Sequence, residues 1–187
     1  MKRVILTILA VLMMCLIAVA RQPERGYRGL IEWSNDLRSM DMWGNGERTA
    51  QFYTGLSTSH GYQFNPWLFI GGGLVYEHCS KLDSHILAPF IHGRTDWQFG
   101  KFTPFGDIRA GYNLSQGGGV YFSPNVGYRF NWGRKAGLNI GVGLTVQGYE
   151  YGIYEIVVSP EGYNTLLQIG SGHSALSFFS FRIGLDF

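Results

Sequence analysis

The chain has 187 residues, enough for one domain, with 15 basic residues against 13 acidic ones. Two of the basic residues, Lys2 and Arg3, fall in an apolar leader. Without them thirteen basic residues face thirteen acidic ones, which leaves no electrostatic case for nucleic acid. Of the two cysteines only Cys79 lies outside the leader, so the remainder has no internal disulfide to use.

The leader itself, residues 1–20, reads as a cleaved signal peptide. Lys2 and Arg3 form the positive start, Val4 to Ile17 the apolar run, and Ala18-Val19-Ala20 the small-residue cleavage site. The expected mature domain is 21–187. Beyond the leader no apolar run reaches the length of a membrane helix. Glycine is abundant, at 27 residues, and aromatics make up 16% of the chain. An exported chain of that composition with no second helix signal points to an all-β fold.

Apolar residues recur with a period of two almost throughout, and eight candidate strands follow. In the first, Gly26 to Asn35, Tyr27, Gly29, Ile31 and Trp33 share one face and Arg28, Glu32 and Ser34 the other. The second, Thr49 to Phe64, sets Phe52, Leu56, Tyr62 and Phe64 against Gln51, Ser57, Ser59 and Gln63. The third, Trp67 to Cys79, is ambiguous. Leu68, Ile70, Leu74 and Tyr76 are taken as its outer face, although Trp67, Phe69 and Val75 oppose them. The fourth, Ile86 to Phe99, places Leu87, Pro89, Ile91, Trp97 and Phe99 opposite His92, Arg94, Asp96 and Gln98. The fifth, Thr103 to Leu114, opposes Ile108, Ala110, Tyr112 and Leu114 to Asp107, Arg109 and Asn113. The sixth, Val120 to Trp132, opposes Phe122, Val126, Tyr128, Phe130 and Trp132 to Ser123, Asn125, Arg129 and Asn131. The seventh is the most regular, with Leu138, Ile140, Val142, Leu144 and Val146 alternating with Asn139, Gly141, Gly143, Thr145 and Gln147. The eighth is the closing stretch LSFFSFRIGLDF.

Short turns follow strands two, four and six, at Asn65-Pro66, Gly100 to Phe102 and Gly133 to Lys135. The other connections, Asp36 to Arg48, Ser80 to His85, Ser115 to Gly119 and Tyr151 to Gly172, are longer, clearly so for the first and last. One short-turn end and one longer-loop end is the layout of a transmembrane barrel. The alternative is a secreted sandwich with its apolar faces inward. Strand length, glycine on the polar faces and aromatic placement all weigh against it. Phe64, Trp97, Phe99, Phe130, Trp132 and Phe187 fall near the short-turn end, and Trp33, Phe52, Tyr76, Tyr112 and Phe122 near the loop end. Two such girdles suit rings at the two membrane interfaces. The expected fold is therefore an eight-stranded, antiparallel, up-and-down transmembrane β-barrel, closed because lipid offers no partner to a free edge.

Leader, eight alternating strands, alternating turn lengths and a terminal aromatic strand together resemble the small bacterial outer-membrane barrels of OmpA and OmpX type. That resemblance implies residence in the outer membrane of a Gram-negative bacterium, among lipopolysaccharide and phospholipid. It also implies that Phe179, Phe181, Ile183, Leu185 and Phe187 form the signal read by the barrel assembly machinery.

With the apolar faces turned to lipid, Arg28, Glu32, His92, Arg94, Asp96, Asp107, Arg109, Arg129, Arg182 and Asp186 point into the lumen. Nine of these are charged, five positive and four negative. An eight-stranded barrel is just wide enough for side chains to fill, and buried charges must pair. The expected arrangement is an ion-pair plug centred on Asp107 and Arg109, faced by Arg94 and Asp96 on the preceding strand. A narrow porin-like channel with exchanging pairs is the alternative. A lipid-modifying enzyme comes third. Ser59-His60 and His173-Ser174 are adjacent in sequence and so point to opposite faces, and His78 and His85 flank Asp83 and Ser84 without a catalytic pattern. No catalytic residue and no cofactor is expected. Glu77, His78, Cys79, Asp83 and His85 are donor types without a recognised spacing, so no metal is expected either. The segment 151–172 reads as a hairpin extending strand seven, with a turn at Ser159 to Gly162 and an edge open to an extracellular protein partner; a self-packed surface loop is the alternative. The chain is expected to be a monomer.

Overall fold

The computed structural model describes residues 25–41, 48–81, 83–97, 102–115, 118–132, 136–158 and 164–187. The expected signal peptide lies outside the described residues. Eight strands follow one another: β1 (Gly26–Asp41), β2 (Arg48–Asn65), β3 (Leu68–Cys79), β4 (Ser84–Asp96), β5 (Phe102–Asn113), β6 (Gly119–Trp132), β7 (Ala136–Val158) and β8 (Asn164–Asp186). Each pairs antiparallel with its sequence neighbours, and β8 returns to β1 to close the ring. The closing seam runs from Leu30↔Asp186 to Leu37↔Phe179. It is extended by two reciprocal backbone bonds, Gly29 N–H to Phe187 O at 2.8 Å and Phe187 N–H to Gly29 O at 2.9 Å. Closure leaves no free sheet edge around the ring.

The barrel is inside-out relative to a water-soluble protein. Trp33, Leu56, Ile91, Ile108, Val126, Leu144 and Phe179 are exposed on the outer face, while Arg94, Arg109 and Arg182 are among the largest fully buried side chains. The period of two that placed the apolar residues on one face of each strand is what sorts them. The ambiguous third strand resolves in favour of Ile70, Leu74 and Tyr76 outward, with Phe69 and Val75 inward and buried.

Several strands run further at the loop end than their sequence suggests. β1 continues to Asp41 rather than Asn35, β2 begins at Arg48 and β4 begins at Ser84; at its short-turn end β4 runs to Asp96, and Gln98 and Phe99 of the expected strand lie outside the described residues. Much of the expected Asp36–Arg48 loop is therefore paired sheet, from Asp36↔Tyr53 to Asp41↔Arg48. Backbone pairing across an antiparallel ladder does not depend on an apolar face, so the ladder outlasts the hydrophobic pattern. The largest extension is β7–β8. Their ladder runs from Gly137↔Asp186 to Val158↔Asn164, with one register shift at Ile153/Tyr154. β6 pairs with β7 only as far as Gln147, and β1 with β8 only as far as Phe179. Among the described residues no ladder pairs the hairpin beyond those points with its neighbours, although Phe178 still packs against Tyr53; from Gly148 to Val158 the β7 arm runs roughly 35 Å at about 3.3 Å per residue.

Candidate functional site

The lumen holds the chain's densest chemistry. All nine charged residues expected inside are there, none more than 5% exposed. They form two tiers rather than one cluster on β4 and β5. In the tier near the short turns, Arg28 Nη1 meets Asp96 Oδ2 at 2.5 Å and Arg28 Nη2 meets Asp186 Oδ2 at 3.1 Å. Arg94 meets Asp96 at 2.8 Å, and Arg129 meets Asp186 at 2.8 Å. Neutral groups complete this tier. Gln63 Oε1 accepts from Arg28 at 2.8 Å, Asn139 Oδ1 accepts from Arg94 at 2.7 Å, and Asn139 Nδ2 donates to Asp186 at 3.1 Å. The Arg94 guanidinium also lies 3.7 Å from the centre of the Phe105 ring, a cation–π contact.

In the middle tier Arg109 donates to Glu32 and, at 3.1 Å, to Ser57. Asp107 Oδ1 lies 3.7 Å from each of Arg109, Arg182 and His92, and Asp107 Oδ2 accepts from Asn125 at 3.2 Å. Arg182 donates to Ser123 Oγ. Ser123 also sits beside Pro124, where the β6–β7 pairing skips because proline has no N–H to give. There the Ser123 hydroxyl reaches the Leu144 carbonyl at 3.0 Å.

The cluster of Arg94 and Asp96 facing Asp107 and Arg109 extends beyond β4 and β5. Arg94 and Asp107 are register partners, yet Arg94 pairs with Asp96 on its own strand and Arg109 with Glu32 on β1. β1 and β5 are four strands apart in a ring of eight, so this pair crosses the full bore. The bore is narrow enough for the Arg109 guanidinium to reach the opposite wall, where it meets Glu32 as well as Asp107 on its own strand. Glycine makes the room. A Cβ at Gly184 would overlap the Glu32 side chain, and one at Gly137 would overlap both Arg129 and Asp186.

Sequence reasoning missed what lies above these tiers. Tyr53, Val75, Cys79, Ile86, Ala88, Phe90, Tyr121 and Phe178 form one buried apolar cluster inside the loop end of the barrel. Tyr53 and Phe178 meet edge to face at 5.2 Å. Two more carboxylates, Asp36 and Glu77, are buried near it at 0% and 1% exposure. Ser34 donates to Glu77 at 2.7 Å, and neither acid is in a salt bridge among the described residues. The parity of β1 was the available signal for Asp36, since it continues the inward series Arg28, Glu32, Ser34.

On the outside, Trp33, Phe52, Phe64, Tyr76, Trp97, Tyr112 and Phe122 are exposed, and Phe130 is half-buried. Phe99 and the side chain of Trp132 lie outside the described residues. Phe179 and Phe181 are exposed on the same face, with Ile183, Leu185 and Phe187 half-buried. Ser59 is fully buried in the lumen while His60 lies outside, within 2.6 Å of the Tyr27 hydroxyl and 2.8 Å of Thr58 Oγ1.

No protein-family model matches the chain, and no curated protein does. Among solved structures, the chain is similar in fold to the outer membrane protein OprG from Pseudomonas aeruginosa. The TM-score is 0.53 at 13% identity, over 89% of this chain and 97% of that one. Together with the closed antiparallel ring, that likeness gives the chain the fold of an eight-stranded outer-membrane barrel.

Proposed function

We propose that the chain is an integral protein of a bacterial outer membrane, exported by a cleaved leader, whose lumen is plugged and whose work is done at its surface. The role is non-enzymatic: it anchors in lipopolysaccharide and phospholipid as a monomer and presents the β7–β8 hairpin to an extracellular partner. The observation that carries the plug is the Arg109–Glu32 pair, which spans the bore from β5 to β1 between two fully buried side chains. A solute passing through would have to separate that pair and leave both charges unpaired in a confined space, at several kcal/mol per ion. The apolar cluster above supplies a second closure of different chemistry.

The test is conductance. The refolded protein in planar bilayers should show no steady single-channel steps. Reproducible steps in the native chain, altered by Arg109→Ala or Asp107→Ala, would replace the plug with the narrow-channel reading. Against an enzymatic role, Ser59 and His60 face opposite sides of the wall. Lipid A or phospholipid turnover lost on replacing His78 or His85 would reverse that assignment.

A further inference from the structure

Five donor-type side chains crowd the β3–β4 connection without a ligand spacing in sequence, and the fold divides them. Glu77 and Cys79 turn inward and are buried. His78 and His85 turn outward, directly opposed across the ladder. Asp83 adopts φ 47° in the turn between them, a left-handed conformation that aspartate tolerates better than most residues. One ligand atom from each of His78, Asp83 and His85 lies within 4.8 Å of the other two. His85 Nε2 is 3.9 Å from Asp83 Oδ1, and the two imidazoles stack with centroids 4.6 Å apart.

Two details mark this as more than proximity. The Tyr76 hydroxyl is hydrogen-bonded to His85 Nδ1 at 2.8 Å. That bond orients the ring and leaves Nε2, on the Asp83 side, as the open nitrogen, which is how outer-shell groups set a metal-binding histidine. The Nδ1 of His78 is buried with no hydrogen-bond partner. A ring nitrogen withdrawn from water, on a residue clustered with a second imidazole and a carboxylate, is a group that a cation satisfies.

We propose that His78, Asp83 and His85 form a divalent transition-metal site on the loop-end rim, with Tyr76 as its positioning residue. Two imidazoles and one carboxylate suit Zn2+, Ni2+ or Cu2+ rather than Ca2+ or Mg2+, which take oxygen ligands. Ligands at about 2.1 Å in a tetrahedron lie about 3.4 Å apart. The donor atoms lie within 4.8 Å of one another, and Asp83 and His85 are both exposed to solvent, so a bound ion would have to draw them closer. Three protein ligands leave one position for water or for a donor on a partner. Since two ligands sit on opposite strands, a bound ion clips β3 to β4 at the rim.

The experiment titrates Zn2+ into the refolded full chain in detergent micelles, by calorimetry and by thermal unfolding. One saturable site and a raised unfolding temperature are expected, with no response to Mg2+. His78→Ala and His85→Ala should each weaken binding by at least about tenfold, and Tyr76→Phe by less. His173→Ala, on the distant hairpin, should bind as the native chain does. Each variant is checked for strand content by circular dichroism, so that loss of fold is separated from loss of ligand. Absence of saturable binding in the native chain, or equal binding by His78→Ala, overturns the site.

Discussion

The two halves of the lumen are filled by opposite chemistry. Toward the short turns, Arg28, Arg94 and Arg129 share the carboxylates of Asp96 and Asp186. Toward the loops, Tyr53, Phe90, Tyr121 and Phe178 pack as an apolar mass. In the charged half, desolvation is offset only by pairing, so removing one partner leaves its neighbours buried and uncompensated. In the apolar half, a volume-conserving swap forfeits contacts and little else. The charged half is therefore brittle and the apolar half forgiving, although both line the same bore.

The most damaging change predicted is Asp186→Ala. It strips two guanidiniums, Arg28 and Arg129, of a shared partner, and should cost about 3–5 kcal/mol. Urea unfolding in micelles measures it. A cost no greater than that of a change in the apolar half would erase the distinction between the two. Next comes Gly184→Val, which sets a branched side chain against Glu32 and the Ile31 carbonyl. Overpacking of that kind should cost about 1–3 kcal/mol, and Gly184→Ala should fall below it in the same assay. In the apolar half, Phe178→Leu removes the edge-to-face contact with Tyr53 and keeps most of the volume. About 1 kcal/mol is expected. If Phe178→Leu instead opens a conductance, the apolar cluster and not the ion pairs is the seal.

Much of this was legible in the sequence where one chemistry occupies one face along a whole strand. β7 is such a strand, and its faces follow directly from Leu138 to Gln147. Legibility failed where the inward face changes chemistry with depth. On β4 the inward series runs Ile86, Ala88, Phe90, then His92, Arg94, Asp96. Reading inward as polar picks up the second half of that series and discards the first. The tier structure failed to show for a different reason. Which arginine meets which carboxylate depends on ring curvature, and strands four apart in sequence order become opposite walls. The outer rim repeats the lesson, since alternation separates His78 from Glu77 and Cys79 and unites it with His85.

The smallest effect on the barrel is predicted for its most prominent feature. Beyond Gln147 on β7 and Phe179 on β8, the ladder pairs only with itself. Tyr151, Ile153, Tyr154 and Ile169 are exposed there, and none belongs to the apolar cluster inside the barrel. A segment whose backbone bonds are satisfied within its own hairpin is removable without orphaning groups elsewhere. Deleting residues 154–165 should leave the unfolding free energy of the barrel within about 0.5 kcal/mol of the native value. The same deletion should abolish any binding that depends on the open strand edge, where a partner would add by main-chain pairing. A shortened chain that fails to insert would place the hairpin among the barrel's structural parts, and the contrast between a rigid bore and a removable surface would then fail at its outer end.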